Sequence, residues 1–571
     1  MGTAEAAAVR AAVEALSGFV EAYRAYHTLK RITLEHRVQG APGLAEAAAA
    51  VEDTLLADPL LPIEVERLET SPLAMPAWVP APPSWSVDSA YVEAAGARLR
   101  LEGHPTLAAA HTPPGGPLEA SVVEVREWWS PEAYEAARGA IALVDGPQDV
   151  AYTLASQAGA EALLLYRRGL PGDAVPYKGL FLPHRLLSKA GIPAATLPSS
   201  LASSLAGGGG GARVAVDSTL GGPARMPIVE AVIPGRGSGP RVAVVAHLCH
   251  PRPGANDNAS GAAAVVEAAL ALGEAVESGR LPAPGGDVVF LLLPEYTGSV
   301  YLLERGLRVD YALNIDMVGV PPGPGDGPLR VVPPPPPLPL EPAAALYHAL
   351  LAAGGGGWTL VAHTSGSDHD SFNAYGVPAA MLNQWPDRYY HSDRDDADRI
   401  SPERLRLAAL AAASAAYALA SGLPRPEWFA DHYTTQVALR HAASGDEAAA
   451  RLAASTLRLA YGLHPRSSPP SDYRPGAPDS SLRLESRIVS PQAVTAADPQ
   501  AGAQLRRAIH GGLDGYTWYL MEPAIMASAG LTLREALTLQ HALHGVRRGP
   551  RLEALLGALE ALEKVGAARI A

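Results

Sequence analysis

The chain predicts an α/β protein built on a mixed, mostly parallel sheet with helices on both faces, carrying an inserted small α+β domain and a helical C-terminal region. Three observations predict it. Short buried-type runs such as VAVVA, VVFLLL and YALNI alternate with helical segments between residues 226 and 423, the pattern of βαβ units. Several of these runs stop abruptly at a metal-binding type of side chain: His247, Glu295 and Asp316. The character of the sequence also changes twice, to short strands with few long helices over 86–219 and to helices beyond 424. At 571 residues the chain exceeds a single domain. The expected division is 1–85 with 220–423 as the main domain, 86–219 as the insertion and 424–571 as the C-terminal domain, winged-helix-like at 483–571.

The elements follow in order. Two helices are expected near 6–26 and 44–56, then a strand at 63–68 and a Pro-rich stretch at 72–83. In the insertion, strands are expected at 140–144, 162–166 and 192–197, a helix at 150–157, and a flexible turn at the glycine tract 207–211. The runs MPIVEAVIPG and RVAVVAH are expected to pair across a Gly-rich turn at 235–239. A helix covers 262–272. The polyproline run at 333–337 reads as a surface loop. A Pro/Ser-rich linker is expected near 465–478. Beyond 532 come a helix (533–543), a basic turn (Arg547, Arg548, Arg551), a second helix (552–565) and a strand (567–570).

Composition removes several function classes. A formal charge of −13 argues against nucleic acid as a partner, because phosphate binding needs concentrated Lys and Arg. The single cysteine, Cys249, excludes an internal disulfide framework and suits a reducing, cytoplasmic setting. The N-terminus lacks the pattern of a signal peptide, and no run reads as a membrane span. There is no GxSxG nucleophile elbow and no GxxxxGK[ST] phosphate loop.

The stretch RVAVVAHLCHPRPGANDNASGAAAVVE carries the chemistry. A buried strand ends at His247, followed by Cys249 and His250. A Pro/Gly-rich loop then delivers Asn256, Asp257 and Asn258 to a helix start. In open parallel sheets, ligands gather at the carboxyl ends of strands, and His nitrogen with carboxylate oxygen is the donor set of zinc and its neighbours. His247 alone reads more often as a structural histidine, and NDN alone more often as turn and cap residues. Asp316 ends an apolar strand, where an unpartnered acid is costly. His391 sits in YYHSDRDD, where a neighbouring acid can orient a ligating imidazole. Together these features read as a metallohydrolase.

The motifs GANDNASG, LPEYTGS, NIDMVG, SDHDSF and YHSDRD occur in the order seen in dizinc aminopeptidases of the leucine aminopeptidase and glutamate carboxypeptidase II type. The resemblance covers 1–85 and 220–422, and the inserted block resembles the protease-associated domain that many relatives carry. It implies a zinc-exopeptidase fold and a metal-dependent aminopeptidase that hydrolyses the N-terminal bond of peptides through a metal-bound hydroxide. It further implies that Asp257 bridges two metals, that His247 and Asp316 bind one, and that His391 with a glutamate binds the other. Zinc is expected, one or two ions per chain, with cobalt or manganese as alternatives.

Two departures stand out. Relatives carry consecutive glutamates, base then ligand; here only Glu295 is present, between Pro294 and Tyr296, so it serves as either base or ligand. Cys249 replaces an aspartate that orients the first histidine, leaving the thiol to do this weakly or to touch metal, with His250 as a replacement for the orienting role. Asp368 or His369 is expected to orient ligands or substrate, with a structural hydrogen-bonding role equally open to each, Tyr390 to line the pocket, and Asp395 to be structural. The alternative class is a non-peptidase amidohydrolase, or a catalytically weak binding protein on the same fold. Expected partners are a peptide substrate and further copies of the chain in a homo-oligomer, with no nucleic acid and no membrane.

Overall fold

The computed structural model describes residues 4–77, 79–208, 210–464, 482–484, 490–511, 533–544 and 552–570. Its largest element is an eight-stranded sheet. The strands are β1 (Glu64–Glu69), β9 (Pro227–Ile233), β10 (Val242–His247), β11 (Val288–Leu293), β12 (Tyr311–Asp316), β13 (Leu329–Val332), β14 (Trp358–Leu360) and β15 (Ala379–Gln384). Their spatial order is β1-β9-β11-β10-β12-β15-β13-β14. The centre is parallel, β11 and β12 flanking β10, and the β1, β9 edge is antiparallel.

Alternation along the strands explains the two helical layers. Val242, Val244 and Ala246 face the large core, shared with α1 (Ala4–Leu16), α2 (Ala22–Thr33), α3 (Pro42–Leu55), α7 (Gly261–Glu277), α9 (Glu341–Ala353) and α11 (Pro402–Ala420). Ala243 and Val245 face a smaller core with α8 (Thr297–Glu304) and Phe372 of α10 (His369–Ala374). A second sheet of seven strands, β2 (Pro83–Ala94), β3 (Ala97–Arg100), β4 (Gly115–Val125), β5 (Ile141–Val144), β6 (Ala162–Leu165), β7 (Ala194–Thr196) and β8 (Gly211–Pro223), runs in the order β3-β2-β8-β4-β5-β6-β7 and has its own cores on either side.

Four expectations are corrected. The N-terminal helix predicted over 6–26 is two helices, α1 and α2, broken at 17–21. The break is fixed from outside: the Glu21 N–H donates to Glu267 of α7 at 2.6 Å, and Arg24 pairs with the same carboxylate at 2.7 Å. Strands β9 and β10 do not pair, because β11 lies between them. The glycines that suggested a hairpin turn instead carry the chain across the start of β11. A Cβ on Gly235 would lie 2.2 Å from the Gly286 backbone, a close approach only glycine permits.

The segment Ala255–Glu277 is long and apolar enough to cross a membrane, contrary to the sequence reading. Every residue from Gly261 to Gly273 is buried, so here that apolarity fills a core. Finally, helices Leu533–His544 and Leu552–Lys564 are where expected, but they join different cores. Ala536 and Leu539 complete the large core, whereas Ala558, Leu559 and Ala561 pack with Val494, Ala501 and Leu505. Among the described residues the two helices share no common core. The basic turn at Arg547, Arg548 and Arg551 and the linker near 465–478 lie outside the described residues.

Candidate metal centre

Because β10, β11 and β12 are parallel and in register, their carboxyl ends coincide. His247 is the last residue of β10, opposite Leu293 of β11, and Glu295 follows two residues on. Asp316 ends β12. The NDN loop then places Asp257 over these tips. Its two carboxylate oxygens face different histidines. Oδ1 lies 3.2 Å from His247 Nε2. Oδ2 lies 3.0 Å from His391 Nε2 and 3.4 Å from His250 Nε2. His247 Nε2 is also 3.5 Å from Asp316 Oδ1. Two ligand groups result, His247 with Glu295 and Asp316, and His250 with Asp257 and His391, the candidate ligand atoms within each lying no more than 4.8 Å apart.

This grouping differs from the one the resemblance implied. Glu295 falls beside His247 and Asp316, since it leaves the strand next to β10, and His250 occupies the place beside His391. His250 is therefore a candidate ligand, and not only an orienting residue. Its Nδ1 lies 2.8 Å from the Pro251 carbonyl, the contact that leaves Nε2 free as a donor atom to metal.

Cys249 stands behind the cluster, its sulfur 4.0 Å from His247 Nδ1, the weak orienting contact expected of a thiol. Its sulfur accepts from the Glu295 N–H at 3.2 Å and from Gln39 Nε2 at 3.5 Å. The Cys249 carbonyl, 3.1 Å from His247 Nδ1, takes the orienting role that an aspartate has in relatives.

The loop carrying Asp257 is clamped on every side. Asn258 Oδ1 accepts from the Met317 and Gly261 N–H groups, and its Nδ2 donates to the Ile315 carbonyl. Asn256 Oδ1 accepts from the Gly319 N–H. The Asp395 carboxylate accepts from the Asn256 and Asp257 N–H groups, each at 2.9 Å. Arg37, fully buried, donates to the carbonyls of Pro253 and Gly254. Gly254 has φ 52°, and a Cβ there would meet His250 Nδ1 at 2.2 Å. The asparagines and Asp395 are thus structural, and they hold Asp257 in place.

The donor set fits divalent metal. His250 Nε2 and Asp316 Oδ1 are buried and make no hydrogen bond, an expensive state that a coordinated cation relieves. Burial raises the Glu295 carboxyl well above its usual range, with Asp316, Asp368 and Asp257 adding to the effect and His247 opposing it. Burial disfavours charge on His247, but Glu295 and Asp316 outweigh it and raise its proton affinity well above the ordinary. Burial brings His391 down to about 4 despite Asp257. So many carboxylates in one dry space attract positive charge, as protons or as metal.

Of the remaining predicted residues, Asp368 accepts from the Tyr296 N–H (2.8 Å) and Ser299 Oγ (2.6 Å), which fixes the turn after Glu295. His369 points elsewhere: its Nε2 lies 2.8 Å from the Thr364 carbonyl, and its ring packs on His363. Tyr390 stacks on His391 with centroids 3.8 Å apart and lines the pocket. Sequence reasoning missed Gln39, whose amide holds the Glu295 carbonyl and Thr297. It also missed Tyr177, whose ring lies 5.0 Å from both His250 and His391. Neither sits in a motif, so the sequence offered no signal for them.

Residues 229–416 match the model of Peptidase family M28, and this segment contains every candidate metal ligand. The fold is shared with solved zinc aminopeptidases and peptidases. A zinc aminopeptidase from Bacillus subtilis, BSAP, aligns at 20% identity over 70% of this chain and 94% of its own, with a TM-score of 0.52. A peptidase M28 precursor from Shewanella amazonensis aligns at 18% identity over 73% and 97%, with a TM-score of 0.55. No curated protein matches the chain.

Proposed function

We propose that the chain is a metal-dependent aminopeptidase that cleaves the N-terminal bond of peptides at a two-metal site. The observation that carries the reading is Asp257, whose two oxygens face separate histidine groups at the tips of parallel strands. His247 and Asp316 would hold one ion, His250 and His391 the other, with Asp257 shared. Zinc suits these donors best, with cobalt or manganese as alternatives. When bound, the ions supply Lewis-acid polarisation of the scissile carbonyl and acidify water.

Glu295 is the residue placed to move protons. It borders the pocket, its carboxyl has a high proton affinity, and its backbone is gripped by Cys249 and Gln39. It takes a proton from the attacking water and returns it to the departing amine. With His250 beside His391, the second position does not depend on Glu295, which stands on the other side with His247 and Asp316. Tyr390 and Phe181 wall the substrate. The block 86–219 acts as a protease-associated-like cover, and a cytoplasmic setting fits the lone thiol.

The test is metal content by plasma mass spectrometry together with hydrolysis of a leucine anilide, for the natural protein and Asp257→Asn. Two ions per chain with activity, and loss of both properties in the variant, is the expected result. An Asp257→Asn protein with full activity would overturn the reading.

A further inference from the structure

The space over the site has two lobes that meet at Gln39, Phe181, Glu295, His391 and Gln492. One, of about 190 Å³, is walled by Val79, Pro80, Pro82, Tyr296 and Tyr390 and is mainly apolar. The other, of about 220 Å³, reaches from the metal-binding side chains to Arg167, Lys178 and Arg506. The walls come from the catalytic segment, the inserted block and the C-terminal region together, an enclosure that suits short substrates.

The three cations are not equivalent. Arg506 is neutralised by Asp149 at 3.1 Å. Lys178 and Arg167 have no carboxylate within ion-pair distance among the described residues. Lys178 Nζ donates to the Gly146 carbonyl at 3.2 Å, and Arg167 donates to the Tyr390 carbonyl. The nearby Asp145 is taken by Arg168. Burial brings the Lys178 ammonium down to about 8. Both cations are half-buried at the pocket wall and hydrogen-bond only to carbonyls, Arg167 also lying over the Tyr390 ring at 6.0 Å, so neither has a paired anion. Holding the inserted block against the Tyr390 loop needs one donor, not two positive charges.

We infer that Lys178 and Arg167 bind a carboxylate of the substrate, so that the enzyme acts on short peptides with an apolar side chain in one lobe and an anionic group in the other. The inference rests on the aminopeptidase reading of the site. The carboxylate has two sources, the free C-terminus of a dipeptide or an acidic side chain.

The metal-loaded enzyme is assayed on leucyl-alanine, leucyl-alaninamide, leucyl-glutamyl amide and glutamyl-alaninamide. A charged pair in an enclosed site predicts a preference of about 10- to 100-fold for a carboxylate-bearing peptide over leucyl-alaninamide. Preference for leucyl-alanine identifies the terminal carboxylate, and preference for a glutamyl amide the side chain. The ratio falls toward one in Lys178→Met and in Arg167→Gln, through KM, and Lys178→Arg restores it. Thermal melts of each variant confirm folding, and a variant that does not fold leaves the decision to the other and to the natural enzyme's own ratio. Equal rates on all four peptides overturn this inference and leave the aminopeptidase reading standing. Hydrolysis of none by protein with its full metal content overturns both.

Discussion

Replacing His250 with alanine removes one of three side chains that converge on the second metal position, the others being His391 and the shared Asp257. Structural zinc sites with four protein ligands bind with apparent free energies of roughly 10–16 kcal/mol, or about 3 kcal/mol per ligand. At about 1.4 kcal/mol per tenfold, losing one ligand weakens the second ion by about 100-fold or more. The first position, held by His247 and Asp316, keeps its donors. The fold should persist, because the imidazole bonds only to Pro251 in its own loop, and the bond from the His250 N–H to the Arg37 carbonyl survives the substitution. Metal content is measured after equilibration in a zinc buffer that just saturates the natural protein, with the thermal melt alongside. The expected result is one ion per chain in His250→Ala and two in the natural protein. A variant that keeps both ions at unchanged affinity would refute the grouping and return Glu295 to the ligand role.

The same experiment on Glu295→Gln should give two ions with kcat lowered by about 10²- to 10⁴-fold, the range of a lost general base; loss of an ion would make Glu295 a ligand. Arg24→Met strands the carboxylate of Glu267, which is 1% exposed, and should cost about 3 kcal/mol in urea unfolding, most of it recovered when Glu267→Gln is added. Any preference for carboxylate-bearing peptides should be full well below pH 8 and decline through about 8 as Lys178 loses its proton, with Arg167, Arg506, Asp145 and Asp149 as its charged neighbours; Lys178→Arg should hold the preference to higher pH. The stability sign follows. Between about 8 and the ordinary lysine value the unfolded chain binds more protons, so the cost of burying the ammonium is present below that window and fades as pH rises through it.

The strand tips were legible because each local signal survives folding unchanged. A buried parallel strand is a short apolar run, and a costly polar residue at its end has few bland explanations, which is why His247, Asp316 and Glu295 stood out before any geometry was known. The order of strands was less accessible. The glycines at 235–239 look alike whether they turn a hairpin or cross another strand, and only contact with Gly286 distinguishes the two. The ligand grouping was hidden for a similar reason. Sequence places His250 three residues after His247, but which metal position each reaches depends on a loop held by Arg37, Asn258 and Asp395, from distant parts of the chain. The lone glutamate looked like a defect in the sequence. In the structure His250 stands beside His391 and Asp257, so the donor that the missing second glutamate would have supplied has a candidate replacement on a neighbouring loop.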